Sequence, residues 1–136
     1  MDRLSQEERS ENMRRVRNCD TGPELTVRRL AHNLGYRYRL HRNDLPGCPD
    51  LVFPRRMCVI FVHGCFWHRH NCRRGNAMPG TRTAFWKAKF EATARRDRHT
   101  VHQLRRKGWR VLIVWECQTR DHNALQKRIR QFLGPY

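Results

Sequence analysis

Seven residues near the C-terminus, Trp109 to Trp115 in the stretch "WRVLIVW", constrain the fold more than any other segment. A run this short and this apolar, opened by Gly108, reads as a β-strand buried on both faces, and such a strand needs a sheet beside it. Its partners lie upstream. "DLVF" (Asp50 to Phe53) and "CVIFVH" (Cys58 to His63) are β-rich runs joined by "PRRM". They predict a hairpin with Phe53 across from Cys58 and Asp50 across from Phe61. "YRYRLH", Tyr36 to His41, alternates in period two and supplies a third strand ahead of the turn-rich "NDLPGCP".

Helices fill the rest. Ser5 with Glu8, and Thr21 with Glu24, match the S/T-x-x-E box that satisfies the unpaired amides of a helix start. The second of these helices carries Leu25, Leu30, Ala31 and Leu34 on one stripe and stops at Gly35. A long helical pattern runs from Thr83 to Lys107, and Asp121 or Asn123 can cap a last helix through Leu125, Ile129, Phe132 and Leu133. Residues 73–82 are polar, glycine-bearing and without period, hence a loop. The order helix, helix, three strands, helix, strand, helix places the chain in the α/β class, a central mixed β-sheet flanked by helices. Its 136 residues suit a single domain. Within it residues 1–20 form an N-terminal helix and residues 21–136 a core that includes a loop at 64–82.

Charge narrows the partner. The 29 cationic side chains, 25 of them arginine, face only 12 carboxylates, a net +17. The planar arginine fork suits phosphate oxygens and base edges, so nucleic acid is the expected partner. No apolar run is long enough to span a bilayer, no basic amphipathic helix has a wide apolar face, and the N-terminus is charged. A soluble, cytoplasmic, nucleoid-associated protein without membrane attachment is expected. In that reducing compartment six cysteines are free or metal-bound rather than paired.

Three of the cysteines have suitable neighbours. Cys65, His70 and Cys72 fall within eight residues, and Cys117 follows the buried strand directly after Glu116. Three soft or borderline ligands after one strand, with a fourth thiol at the end of another, suit a closed tetrahedral Zn²⁺ site that pins the loop to the sheet. His68 can stand in for His70 on spacing alone. Cys19, Cys48 and Cys58 have no such company and read as small buried or incidental thiols.

The hairpin register puts Asp50 and His63 diagonally on one sheet face, about 7–8 Å apart at the backbone, where a carboxylate can hold Mg²⁺ for a phosphodiester. On the long helix, Trp86, Phe90, Ala94, Asp97, Val101 and Leu104 form one inward stripe. An inward Asp97 needs a partner, and a histidine made more basic by it, His63 or His68, can serve as general base or acid. Glu24 is explained locally by its capping box, so catalysis there is an additional claim. Phe66 and Trp67, beside the metal ligands, and Trp86, at the start of the long helix, suit wedges between base pairs as well as packing of the loop.

"SENMRRVRNCDTGPE", "LPGCPDLVF", "CVIFVHGCFWHRHNC", "TRTAFWKAKFEATARRDR" and "GWRVLIVWEC" together resemble the very short patch repair endonucleases, over roughly residues 10–117 and in the right order. The resemblance implies a restriction-endonuclease-like fold and a Mg²⁺-dependent nick on the 5′ side of the T in T:G mismatches left by deamination of 5-methylcytosine. It implies Mg²⁺ on Asp50 and the backbone carbonyl of Val62, His68 supported by Asp97 as general base, His63 at the phosphate, and Glu24 on water at the metal. It places structural Zn²⁺ on Cys65, His70, Cys72 and Cys117. Phe66, Trp67 and Trp86 would wedge from the major-groove side, with Met13 and Arg14 of the N-terminal helix along the minor groove. A monomer acting on double-stranded DNA follows, and coupling to mismatch-repair proteins is compatible with the resemblance but carried by no motif in the chain. One departure stands out: Val62 stands where members of the family can have threonine, which keeps the carbonyl and loses the hydroxyl. The restriction-type lysine is absent, as the resemblance requires, and His63 occupies its neighbourhood. The competing expectations are a zinc-stabilised DNA-binding module without catalysis, and a restriction endonuclease of the same fold that cuts both strands.

Overall fold

The structure, a computed structural model, describes residues 21–135. The expected helix over residues 1–20, with Met13, Arg14 and Cys19, lies outside them. Helix α1 spans Gly22–Asn33, and the Thr21 hydroxyl accepts the Glu24 amide at 3.4 Å, as the capping box requires. Strands β1 (Arg39–Leu40), β2 (Leu51–Phe53), β3 (Cys58–His63) and β4 (Arg110–Trp115) make one sheet in that order. β1, β2 and β3 are antiparallel neighbours, and β4 joins β3 in parallel through the long helix. The β2–β3 register pairs Phe53 with Cys58 as the hairpin reading requires, around a 3₁₀ turn at Pro54–Arg56 that Met57 closes in the left-handed region (φ 54°). Helix α2 is a single turn, Cys65–His68, α3 runs Thr83–Arg106, and α4 runs His122–Leu133. Asp121, not Asn123, caps α4 by accepting the Ala124 amide at 3.1 Å.

Strand alternation sorts the core into two layers. Leu51, Phe53, Cys58, Ile60, Leu112 and Val114 face α1 and α4, meeting Val27, Ala31, Leu125, Ile129 and Leu133. Val52, Val59 and Phe61 face the other way, toward Leu104 of α3. Gly35 (φ 98°) and Gly108 (φ 92°) end α1 and α3 in the left-handed conformation, with the Tyr36 amide returning to the Ala31 carbonyl and Trp109 to Leu104. Both helix stops are the ones the sequence marks.

Two strand expectations are corrected. The run Tyr36–His41 pairs only at Arg39 and Leu40, because Tyr36 and Tyr38 turn inward onto the Phe53 ring and His41 takes a left-handed backbone (φ 47°) that ends the strand. β4 is an edge strand buried on one face only. Leu112 and Val114 are covered, whereas Val111 and Ile113 are half-buried beneath α3, with a cavity lined by Ala94, Asp97 and Val101 of α3 beside Ile113. The consequence is functional: His63 and Trp115, at the same end of β3 and β4, look onto open space beside α3.

Candidate functional site

Everything sequence reasoning singled out within residues 21–135 gathers at the end of β3. The Cys/His set comes first. Gly64 leads β3 into α2, and the chain doubles back so that Cys65, His70, Cys72 and Cys117 bring their ligand atoms within 4.8 Å of one another. His70 Nδ1 lies 3.8 Å from Cys65 Sγ and 3.4 Å from Cys117 Sγ. Tetrahedral zinc with ordinary bond lengths separates sulfur from nitrogen by about 3.6 Å, so the spacing fits. The donor chemistry fits as well: burial pushes the Cys65 thiol up to about 12, a cost that a bound dication removes by stabilising the thiolate. His70 is chosen over His68 by geometry, since its ring stacks on Trp115 at 4.4 Å with Nδ1 turned to the thiols. Three contacts hold this loop in place. Glu116 accepts the Cys65 amide at 3.3 Å and pairs with Arg74 at 3.2 Å, and the Gly75 amide donates to Cys72 Sγ at 3.4 Å. Any Cβ at Gly75 would lie 1.8 Å from the His70 carbonyl oxygen, so only glycine lets the loop close.

His68, at the end of the same helical turn, faces away from that cluster. Its Nδ1 is 2.6 Å from Asp97 Oδ2 of α3, so the ring donates to the carboxylate and leaves Nε2 as an acceptor. Asp97 is thus inward but only three-quarters buried (25% exposed), because the partner it needs sits at the protein's edge. His63 stacks flat against His68, centroids 3.8 Å apart and planes 8° apart. Burial, and then the neighbouring His68, hold the His63 ring down to about 4, so it is neutral near pH 7, and among the described residues its buried Nδ1 meets no hydrogen-bond partner.

The Asp50 carboxylate accepts the Val62 amide at 2.6 Å, across the β2–β3 hairpin. It shares its surroundings with Glu24, 2% exposed, and with His41, the three offering ligand atoms within 4.8 Å of one another. Burial and a hydrogen bond with Glu24 push Asp50 up to about 8, against the lowering pull of the Val62 amide. Two carboxyl groups this close to each other out of water need a shared proton or a cation. The expectation that Asp50 and His63 converge on one ligand is refined: they belong to two adjacent sets, Glu24–His41–Asp50 and His63–His68–Asp97, and both border one cleft of about 900 Å³. Phe66 and Trp67 form another wall of that cleft. They interlock with Trp86 and Phe90 at centroid distances of 5.2 to 6.2 Å, and only Phe90 is buried. Phe85, 48% exposed, extends the aromatic surface beyond what the sequence singled out.

His41 is the residue sequence reasoning missed. The pairs Arg39 to Val52 and Leu40 to Leu51 carry residue 41 next to residue 50, so a β1–β2 register, had it been read, would have found it. Among the described residues no helix is long and apolar enough to cross a membrane.

Residues 1–74 match the family described as DNA mismatch endonuclease Vsr. The chain is 52% identical over 134 residues to the type II nicking enzyme V.XorIIP of Xanthomonas oryzae pv. oryzae, covering 98% of each. To the DNA mismatch endonuclease Vsr of Escherichia coli it is 42% identical over 130 residues, 92% of this chain and 83% of that one. Similarity to the type II nicking enzyme V.NmeAIP of Neisseria meningitidis reaches 33% over 125 residues, 92% and 89% of the two chains.

Proposed function

The chain belongs to the Vsr family of DNA mismatch endonucleases, and we accordingly propose that it nicks one strand of double-stranded DNA on the 5′ side of the T in a T:G mismatch. The observation that carries this reading is the His68–Asp97 pair at 2.6 Å, whose His68 lines the same cleft as the half-buried Asp50 and the buried Glu24. A binding module has no need of an imidazole so oriented beside carboxylates held out of water.

A Mg²⁺ ion held by Asp50 and the Val62 backbone carbonyl would neutralise charge on the scissile phosphate. His68 takes the proton of the attacking water at Nε2, while Asp97 fixes the ring through Nδ1 and stabilises the cation that forms. The water oxygen bonds to phosphorus as the bond to the leaving sugar oxygen breaks. Glu24 orients water at the same site. His63, kept neutral, contacts the phosphate and braces the His68 ring from behind. Zn²⁺ on Cys65, His70, Cys72 and Cys117 has all four positions taken by protein, which suits a structural role. Phe66, Trp67 and Trp86 enter the duplex beside the mismatch, and Met13 and Arg14 track the minor groove. The four-stranded mixed sheet with helices on both faces, and the catalytic set at one strand end, support the restriction-endonuclease-like fold. That both candidate sets of the described residues border one cleft supports a monomer that cuts once.

Strand-resolved cleavage of T:G and fully paired duplexes, with and without chelator, tests the reading. One cut strand, only in the mismatch and only with a divalent cation, is the expected result, and Asp50→Ala abolishes it. Tight, salt-sensitive binding without any cleavage would sink the proposal, and scission of both strands would replace nicking with restriction.

A further inference from the structure

We propose that His41 is a third protein ligand of the cation that Asp50 and the Val62 carbonyl would hold beside Glu24, and that its nitrogen makes the site favour Mn²⁺ over Mg²⁺ more than oxygen donors alone would. The inference rests on the reading that Asp50 holds a divalent cation.

Topology delivers the residue. β1 runs antiparallel to β2, so the chain leaving Leu40 arrives beside Asp50, and the left-handed backbone of His41 (φ 47°) ends the strand there. Outside glycine, asparagine and aspartate that conformation is uncommon. His41 Nε2 sits 3.1 Å from Glu24 Oε1 and 3.1 Å from Arg28 Nη2.

The Arg28 guanidinium donates to Nε2, which sets that nitrogen as a lone-pair donor, while Nε2 approaches the Glu24 oxygen without hydrogen-bond geometry. A dication on Asp50 and His41 would take that lone pair beside Glu24 and leave Arg28 its own contact with Glu24 Oε2 at 3.3 Å. The spacing allows it. Donors of an octahedral ion with bonds of about 2.1 Å lie about 3 Å apart when adjacent and about 4.2 Å apart when opposite, and the three ligand atoms here all lie within 4.8 Å. Imidazole nitrogen gains more with Mn²⁺ than with Mg²⁺, which prefers oxygen and keeps its waters. Thiolates on zinc stay out of the competition, because Mn²⁺ stands at the weak end of the divalent series.

The test uses the zinc-loaded full chain, free of DNA, titrated with Mn²⁺ and followed by electron paramagnetic resonance, with spin-echo modulation to detect directly bonded nitrogen. Wild type is expected to show ¹⁴N modulation that turns to ¹⁵N when histidine is labelled. His41→Gln loses the modulation and about tenfold in Mn²⁺ affinity, while Mg²⁺ affinity, read by competition, changes less than threefold. His63→Gln and His68→Gln keep the modulation. Absence of nitrogen coupling in labelled wild type overturns the proposal whether or not any variant folds. So does coupling that survives in His41→Gln, or an equal loss of both ions, which would make His41 only a prop for Glu24. Mg²⁺-dependent nicking that Asp50→Asn abolishes stands apart from all of these, so a failure of His41 and a failure of the proposed reaction are distinguishable.

Discussion

Two clusters of metal-ligating side chains lie at the end of β3, and they are built on opposite plans. The Cys65–His70–Cys72–Cys117 set takes three ligands from eight consecutive residues and is closed by backbone: the Gly75 amide on Cys72, the Cys117 amide on Cys65 at 3.4 Å, and the Glu116 carboxylate on the Cys65 amide. The Glu24–His41–Asp50 set takes one residue each from α1, the end of β1 and the start of β2, and opens onto a cleft. Soft donors shut off from substrate serve folding. Hard donors with room beside them serve chemistry. The difference teaches that the closed site positions the His68–Asp97 pair beside the open one, since the turn carrying His68 is bounded by Cys65 and His70.

The largest expected effect breaks the two sites apart. Asp50→Asn should lower cleavage by about 10³-fold or more while leaving zinc content and melting temperature near wild type, because it removes charge only where charge is needed for the phosphate. Cys117→Ala should do the reverse in order of cause. Zinc content by atomic absorption falls first, the melting temperature drops by several degrees, and activity follows because His68 loses its place. Equal zinc loss in both variants would mean that the sites are one cooperative unit rather than scaffold and centre.

Acid sharpens the contrast, because the two sites fail at low pH for different reasons. Thiols must deprotonate to hold zinc, whereas His63, which borders the open cleft, must stay neutral to remain inside. Burial holds His63 down to about 4, so between that value and the ordinary histidine range the unfolded chain binds more protons than the folded one. Stability therefore rises with pH through that window and is lost as pH falls through it, by at most about 3 kcal/mol. Urea unfolding of wild type minus that of His63→Asn, at pH 4.5 and pH 7, isolates this part from zinc loss common to both. A difference independent of pH would contradict the burial argument.

How much of this was legible tracks sequence distance. The hairpin register was readable because two residues, Phe53 and Cys58, fix it locally, and the α3 stripe was readable because one helix sets its own period. The zinc-type ligands were readable because three stand close together. His41 was not, because its partners lie 17 and 9 residues away and the strand pattern over Tyr36–His41 carries no signal of its register against β2. The exposed side of β4 was missed for a related reason. Val111 and Ile113 are as apolar as buried residues, and nothing local records that a cavity beside α3 leaves Ile113 only half covered. Likewise the single turn Cys65–His68 is shorter than any helical period.

The smallest effect asks what Asp97 contributes beyond holding a ring. Asn in its place keeps the size and can still accept from His68 Nδ1–H through its amide oxygen, but the amide can also turn its NH₂ to Nδ1 and select the wrong tautomer. It carries no charge to stabilise the imidazolium. If His68 is the general base and Asp97 its orienting partner, Asp97→Asn should lower the single-turnover cleavage rate about 10²-fold, with affinity for the T:G duplex unchanged within about twofold. Because Asp97 is a quarter exposed and makes its 2.6 Å bond at the surface, the fold should tolerate the change. A variant that instead loses DNA affinity with its cleavage rate intact would assign the pair to binding, and would leave the Asp50 set as the only chemistry in the cleft.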